Sequence, residues 1–137
     1  KGLADDGQLH TIELREADAV NAKTFFNQSV YADKIILHTG SALDIIPQLN
    51  EEWDLVFIDA DKTGYIEYFN LVLPKLRQNG FILADNIFFH GEVIAEGEVR
   101  GKNAKAIKAF NEFIKERKDV EKAILTVRDG LFLIRKL

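Results

Sequence analysis

The chain has 137 residues, 47% of them hydrophobic, with 18 basic against 22 acidic side chains and a formal net charge of −4. That is enough for one packed domain spanning 1–137 and too little for two. The acidic balance argues against a nucleic-acid surface held by bulk electrostatics. With no cysteine present, disulfides, thiolate metal sites and cysteine nucleophiles are excluded. No apolar run approaches the roughly 18 residues of a membrane span, and no signal peptide is visible, so a cytoplasmic protein is the expectation. The chain starts at Lys1 and holds no methionine, which reads as the C-terminal portion of something longer.

Residues 1–8 are polar, with Asp5-Asp6-Gly7 as a turn signal. Leu9-His10-Thr11-Ile12-Glu13-Leu14 predicts a short strand ending near Glu13. Over 16–31, Ala17, Val20, Phe25 and Phe26 fall roughly at helical spacing. Ile35-Ile36-Leu37-His38 predicts another strand, closed by Thr39-Gly40-Ser41. Residues 42–49 follow as a short helix, bent or interrupted at Pro47. His10 and His38 lie inside strands and read as structural.

Trp53-Asp54-Leu55-Val56-Phe57-Ile58-Asp59-Ala60-Asp61-Lys62 organises the rest. A short apolar run bounded by polar residues predicts a strand buried on both faces, as in a parallel sheet. Tyr65, Phe69, Val72, Leu73 and Leu76 mark a helix with a kink or break at Pro74, and Asn79-Gly80 reads as its C-cap. Phe81-Ile82-Leu83-Ala84 predicts a second strand of the same kind, ending in Asp85-Asn86. Residues 88–101 hold three glycines and no clean period, which predicts a loop over the site with His90 a candidate for its mouth. Ala106, Ile107, Phe110, Phe113 and Ile114 define an amphipathic helix. Two last strands, 123–127 and 131–134, are joined through Arg128-Asp129-Gly130, a hairpin signal. The alternation predicts an α/β, doubly wound, mostly parallel sheet, with the closing hairpin adding an antiparallel strand at one edge.

In open α/β sheets ligands sit beyond the carboxyl ends of the strands. Asp59 and Asp85 are separated by one crossover unit, so their strands are expected to be neighbours. With Asn86 they would converge as three oxygen donors, the set favoured by a hard cation such as Mg²⁺, which takes oxygens at about 2.0–2.1 Å. Either aspartate alone would serve equally well to solvate a strand end or cap a helix. The ordered set with Asp61, Lys62 and Asn86 is what points to a site.

Phe57-Ile58-Asp59-Ala60-Asp61-Lys62 with Tyr65, then Ala84-Asp85-Asn86, then Asp129-Gly130-Leu131, closely resembles the metal-dependent class I O-methyltransferases. The caffeoyl-coenzyme A and catechol O-methyltransferases belong to that group, and the likeness runs from residue 7 to 136. The resemblance implies a Rossmann-like domain that transfers a methyl group from S-adenosylmethionine to a hydroxyl of a catechol-like or phenylpropanoid small molecule. It implies that Asp59, Asp85 and Asn86 hold a divalent ion, Mg²⁺ or another such as Ca²⁺ or Mn²⁺. Lys62 is then the general base, acting beside Asp59. Glu13 would bind the ribose hydroxyls, Gly40, Ser41 and Ala42 the adenine, and Asp59 and Asp61 further parts of the cofactor. Asp61 places the chain nearer the caffeoyl-coenzyme A branch, and a homodimer is implied.

The family's first strand and its glycine-rich loop have no counterpart in the chain. The domain is therefore expected to be N-terminally truncated, with an open slot in mid-sheet that impairs cofactor binding unless another chain fills it. Three alternatives stand beside this reading. Related enzymes methylate hydroxyuridine in tRNA with the same metal site. A phosphoacceptor receiver domain would need an acidic pair after its first strand and a late Lys-Pro, and neither is present. The third is a non-catalytic fragment unable to hold cofactor.

Overall fold

The computed structural model describes residues 2–95 and 97–137; Lys1, in the expected N-terminal turn, and Glu96, in the expected loop, lie outside the described residues. The elements alternate as the sequence predicts, and they gather into two compact units, Lys1–Asn50 and Glu51–Leu137. No helix among the described residues is long and apolar enough to cross a membrane.

In the first unit, β1 (Leu9–Glu13) and β2 (Ile35–Thr39) pair in parallel, with Leu9 opposite Ile35 and Glu13 opposite Thr39. They are joined by α1 (Glu16–Asn27) and a 3₁₀ turn at Ala32–Lys34, and α2 (Ala42–Gln48) follows. The helix α1 ends earlier than its apolar spacing predicts, and the face differs too. Ala19 is its buried residue, whereas Val20 and Phe25 are 59% and 71% exposed. Pro47 lies inside α2, which ends one residue later at Gln48; the proline removes one hydrogen bond from the helix ladder. Lys34 fastens the N-terminal turn through Nζ, which donates to the carbonyls of Ala4 at 3.0 Å and Asp5 at 2.6 Å.

The second unit is a four-stranded sheet in the order β3-β4-β6-β5. The strands are β3 (Trp53–Ile58), β4 (Leu76–Asp85), β5 (Val120–Leu125) and β6 (Leu131–Lys136), with α3 (Tyr65–Val72) and α4 (Lys102–Glu116) between them. β3 and β4 are parallel, and Ile58 lies opposite Ala84. β6 runs antiparallel to both β4 and β5. The antiparallel strand is therefore second from the edge, rather than at the edge as the hairpin alone suggests, because β5 takes the outer position.

Both helices cover the same sheet face. Ile58, Ile82, Ala84, Phe132 and Ile134 are buried there. Phe110 of α4 sets its ring edge-on to Tyr65 and Phe69 of α3 and to Phe132 of β6. Such arrangements suit the ring quadrupoles. β3 is not buried on both sides: Leu55 and Phe57 are 56% and 58% exposed, whereas Leu83 and Leu133, in register with Phe57, are partly covered. Its register also departs from regularity between Trp53 and Leu55. There Asn79-Gly80, expected as a helix C-cap, lies within β4, with Asn79 at φ 64°. Residues between Leu76 and Phe81 bulge from the ladder, and Asn-Gly supplies the left-handed conformation the bulge requires. The helix itself ends at Val72 and passes into a 3₁₀ turn, Leu73–Lys75, around Pro74.

His10 and His38 meet across the first unit's sheet, Nδ1 of one 3.1 Å from Nε2 of the other, with stacked rings 5.2 Å apart. One nitrogen donates and the other accepts, so the bond requires at least one neutral ring. Burial, and then the charge on His10, push the His38 pKa below its ordinary value. Below pH of about 6.5 the unfolded chain therefore binds a proton that the folded chain resists, and stability falls as the pH drops through that window. Thermal melts at pH 7.5 and pH 5 should show this loss in the wild type and a smaller one in His38→Gln. Equal losses would contradict it.

Candidate functional site

The carboxyl ends of β3 and β4 stand side by side. The pairing of Ile58 with Ala84 sets the next residues, Asp59 and Asp85, at the same level of the sheet. From Asp59 the chain turns through Ala60 and Asp61 into a 3₁₀ turn, Lys62–Gly64, and on into α3. Asn86 leaves β4 with φ 60°, a conformation that asparagine tolerates better than most residues.

Lys62 draws these pieces together. Its side chain is only 14% exposed. Nζ donates to Tyr65 Oη at 2.6 Å, Asn86 Oδ1 at 2.9 Å and Asp59 Oδ1 at 3.2 Å. Tyr65 is fully buried, and its hydroxyl donates to the Asp85 carbonyl at 3.0 Å, with the Ile58 carbonyl at 3.3 Å sharing that proton. Burial, reinforced by the Asp59 and Asp85 carboxylates, pushes the phenol well above its ordinary pKa. It therefore stays protonated and acts as a fixed donor. The Asp85 carboxylate faces its own loop, where Oδ1 accepts the Asn86 N–H at 2.8 Å.

Asp61 belongs to a separate cluster. It accepts hydrogen bonds from the Tyr68 hydroxyl and from Thr63 Oγ1. The Tyr68 bond, more than any other influence, holds the Asp61 pKa below its ordinary value, and Tyr68 itself is pushed up to about 12 by burial and by Asp61. Gly64 makes this possible, since a Cβ there would sit 2.5 Å from the Tyr68 ring.

The β5–β6 turn buttresses the loop beyond Asn86. The Asp129 and Gly130 carbonyls accept from Phe88 and Ile87 N–H, and the Asp129 carboxylate accepts the His90 N–H at 2.8 and 3.0 Å. Gly130 has φ 82°, and a Cβ on it would lie 2.6 Å from the Phe88 ring. Asp129-Gly130-Leu131 is thus a support for the site loop as well as a hairpin turn. The side chain of His90 is 78% exposed, its Nδ1 3.9 Å from Asp129 Oδ2, and its backbone N–H makes the hydrogen bonds to that carboxylate.

In the first unit, Glu13 ends β1 half-buried, its Oε1 accepting the Arg15 N–H at 2.9 Å. The Gly40 N–H donates to the Glu13 carbonyl at 2.9 Å, and the Ser41 carbonyl receives the Asp44 and Ile45 N–H groups as α2 begins. Glu13, Gly40, Ser41 and Ala42 therefore share one end of the small parallel sheet.

A sequence model of the O-methyltransferase family matches residues 1–137. The chain belongs to the O-methyltransferase family. It is 33% identical over 140 residues to a probable caffeoyl-CoA O-methyltransferase 2 of Dictyostelium discoideum, covering 98% of the chain and 61% of that relative. It is 33% identical over 129 residues to a catechol O-methyltransferase of Niastella koreensis, covering 91% of the chain and 58% of the relative. The structure of an O-methyltransferase from Bacillus cereus in complex with SAH superposes with TM-score 0.90 at 30% identity, over 99% of this chain and 66% of that one. The chain spans about three-fifths of the length of the curated relatives it matches. The mixed α/β architecture is that of its O-methyltransferase relatives.

The structure brings Asp59, Lys62 and Asn86 into one network and sets Asp85 beside it. Among the described residues no three His, Cys, Asp or Glu side chains form a metal-holding group; the strand-tip set consists of two aspartates and an asparagine. Two participants escape a reading for chemistry. Tyr65 enters the sequence reading as a helix-marking aromatic and as part of the family motif, with no role given to it, and Tyr68 does not register at all, although their i, i+3 spacing places both on the α3 face above the strand tips. Gly64→Ala should cost about 1–3 kcal/mol by forcing Tyr68 away, read by urea denaturation. An unchanged midpoint would show that the ring has room to move.

Proposed function

We propose that this chain takes part in divalent-metal-dependent methyl transfer from S-adenosylmethionine to a hydroxyl of a catechol-like or phenylpropanoid small molecule. The observation that carries the reading is the convergence of Asp59 and Asn86 oxygens on one cationic atom, Lys62 Nζ, at adjoining strand tips. The donor chemistry fits a hard dication, since two carboxylates and an amide supply oxygen alone. Asp59, Asp85 and Asn86 would hold it. When bound, such an ion acts as a Lewis acid on the acceptor hydroxyl and as a template for its orientation.

The chain's own residues supply the rest. Lys62 Nζ lies among the metal donors; it can take the hydroxyl proton only as the neutral amine, after its own ammonium proton has passed to solvent. Tyr65 fixes the height of that amine by accepting from it while donating to the Asp85 carbonyl. Glu13 offers a half-buried carboxylate next to the Gly40 turn, the kind of acceptor a ribose diol needs. Small residues at 40–42 leave room for a planar base. Within the second unit, Asp61, held ionised by Tyr68, is a residue the family resemblance assigns to the cofactor. Caffeoyl-CoA and catechol appear in the names of the relatives, which supports a hydroxylated aromatic acceptor. A homodimer accords with this reading.

The test is methylation of a catechol panel with S-adenosylmethionine, with Mg²⁺ and with EDTA. Turnover should require the metal. Asp85→Ala should lower kcat/KM by more than about 100-fold, beyond the effect of an outer-shell group. Full activity in EDTA would overturn the metal reading, and an unaffected Asp85→Ala would overturn the assignment of that ligand.

A further inference from the structure

Lysine is among the residues least often buried without a partner, yet the Lys62 side chain is 14% exposed at the edge of the candidate site. An ammonium has three N–H donors. Here all three are used, on Asp59 Oδ1, Tyr65 Oη and Asn86 Oδ1. The amine is seated in a finished socket.

Two walls of that socket, Asp59 Oδ1 and Asn86 Oδ1, are also donors assigned above to the dication. The third, Tyr65 Oη, is tied to backbone carbonyls of both strand tips. We infer that the Lys62 ammonium is a built-in placeholder for the metal: it fills the cation position in the metal-free protein and is displaced from Asp59 and Asn86 when the ion enters. The inference rests on the proposed metal site.

The physical reason is charge. Asp59 and Asp85, neighbours at adjoining strand tips, repel one another unless a cation stands between or beside them. Lys62 offsets part of that repulsion, so the strand tips keep their register without the metal. The same ammonium opposes an incoming dication, both by repulsion and by occupying its oxygens. Tyr65 does not belong to the metal set, and it keeps its hold on Nζ as a pivot. A dication held by the oxygens of Asp59 and Asn86 would therefore require Lys62 to release both of them.

The test measures metal affinity rather than turnover. Isothermal titration with Mg²⁺ and with Mn²⁺ is run on the wild type, Lys62→Met and Asp85→Asn, with melting in EDTA confirming that each is folded. Lys62→Met should bind the ion at least about tenfold more tightly than the wild type, because two charge-assisted hydrogen bonds no longer have to be broken. Its melting temperature in EDTA should drop, and Mg²⁺ should restore more of it than in the wild type. Equal or weaker binding by Lys62→Met, with wild-type binding that is lost in Asp85→Asn, overturns the placeholder and leaves the metal site standing. No binding by either the wild type or Lys62→Met overturns both.

A second measurement uses the unmutated protein. The Lys62 ammonium protons should be visible by NMR in EDTA, shielded from exchange by their three acceptors, and should lose that protection as Mg²⁺ saturates the site. Protection that survives saturation overturns the placeholder.

Discussion

The hydroxyl of Tyr65 ties the site together. It is fully buried and lies within hydrogen-bond reach of carbonyls on two different strands, Ile58 at 3.3 Å and Asp85 at 3.0 Å, while receiving a proton from Lys62 at 2.6 Å. Few side chains can serve both strand ends at once, because the group must stand above the sheet midway between them. Tyr65 does so from the first residue of α3, its ring held edge-on against Phe110. A buried donor left without such partners would be costly, so ring, strand tips and lysine hold one another in place.

The neighbouring glycine follows from the same packing. α3 must begin directly above the strand ends, and the 3₁₀ turn Lys62–Gly64 brings it there. Tyr68, one turn further on, lies back over that turn to reach Asp61, which leaves no space for a side chain at residue 64. One tyrosine thus sets the amine of Lys62 and the other the charge of Asp61. The turn at Asp129-Gly130 holds the outgoing loop after Asn86 from the opposite direction.

Much of this was legible in the sequence and some of it was not. The order of elements follows from apolar runs separated by turn residues, and the carboxylates at the ends of β3 and β4 stand out because each run ends in them. The exposure of Leu55 and Phe57 was not legible, since a run such as Leu55–Ile58 looks the same whether helices cover one face of its strand or two. Asn79-Gly80 misleads for a related reason: left-handed backbone ends a helix and makes a bulge with the same residue pair. Val20 and Phe25 fit a helical period without packing inward. The seat of Lys62 depends on Asn86, 24 residues away, and a contact of that range emerges only once the parallel register of β3 and β4 is known.

The central claim is that the oxygens of Asp59, Asp85 and Asn86 form the seat of a single dication. Anomalous diffraction from crystals grown with Mn²⁺ tests it most directly. One strong peak is expected in contact with all three side chains at the tips of β3 and β4. A crystal saturated with Mn²⁺ that shows no peak there, or a peak bound by other residues, would contradict it.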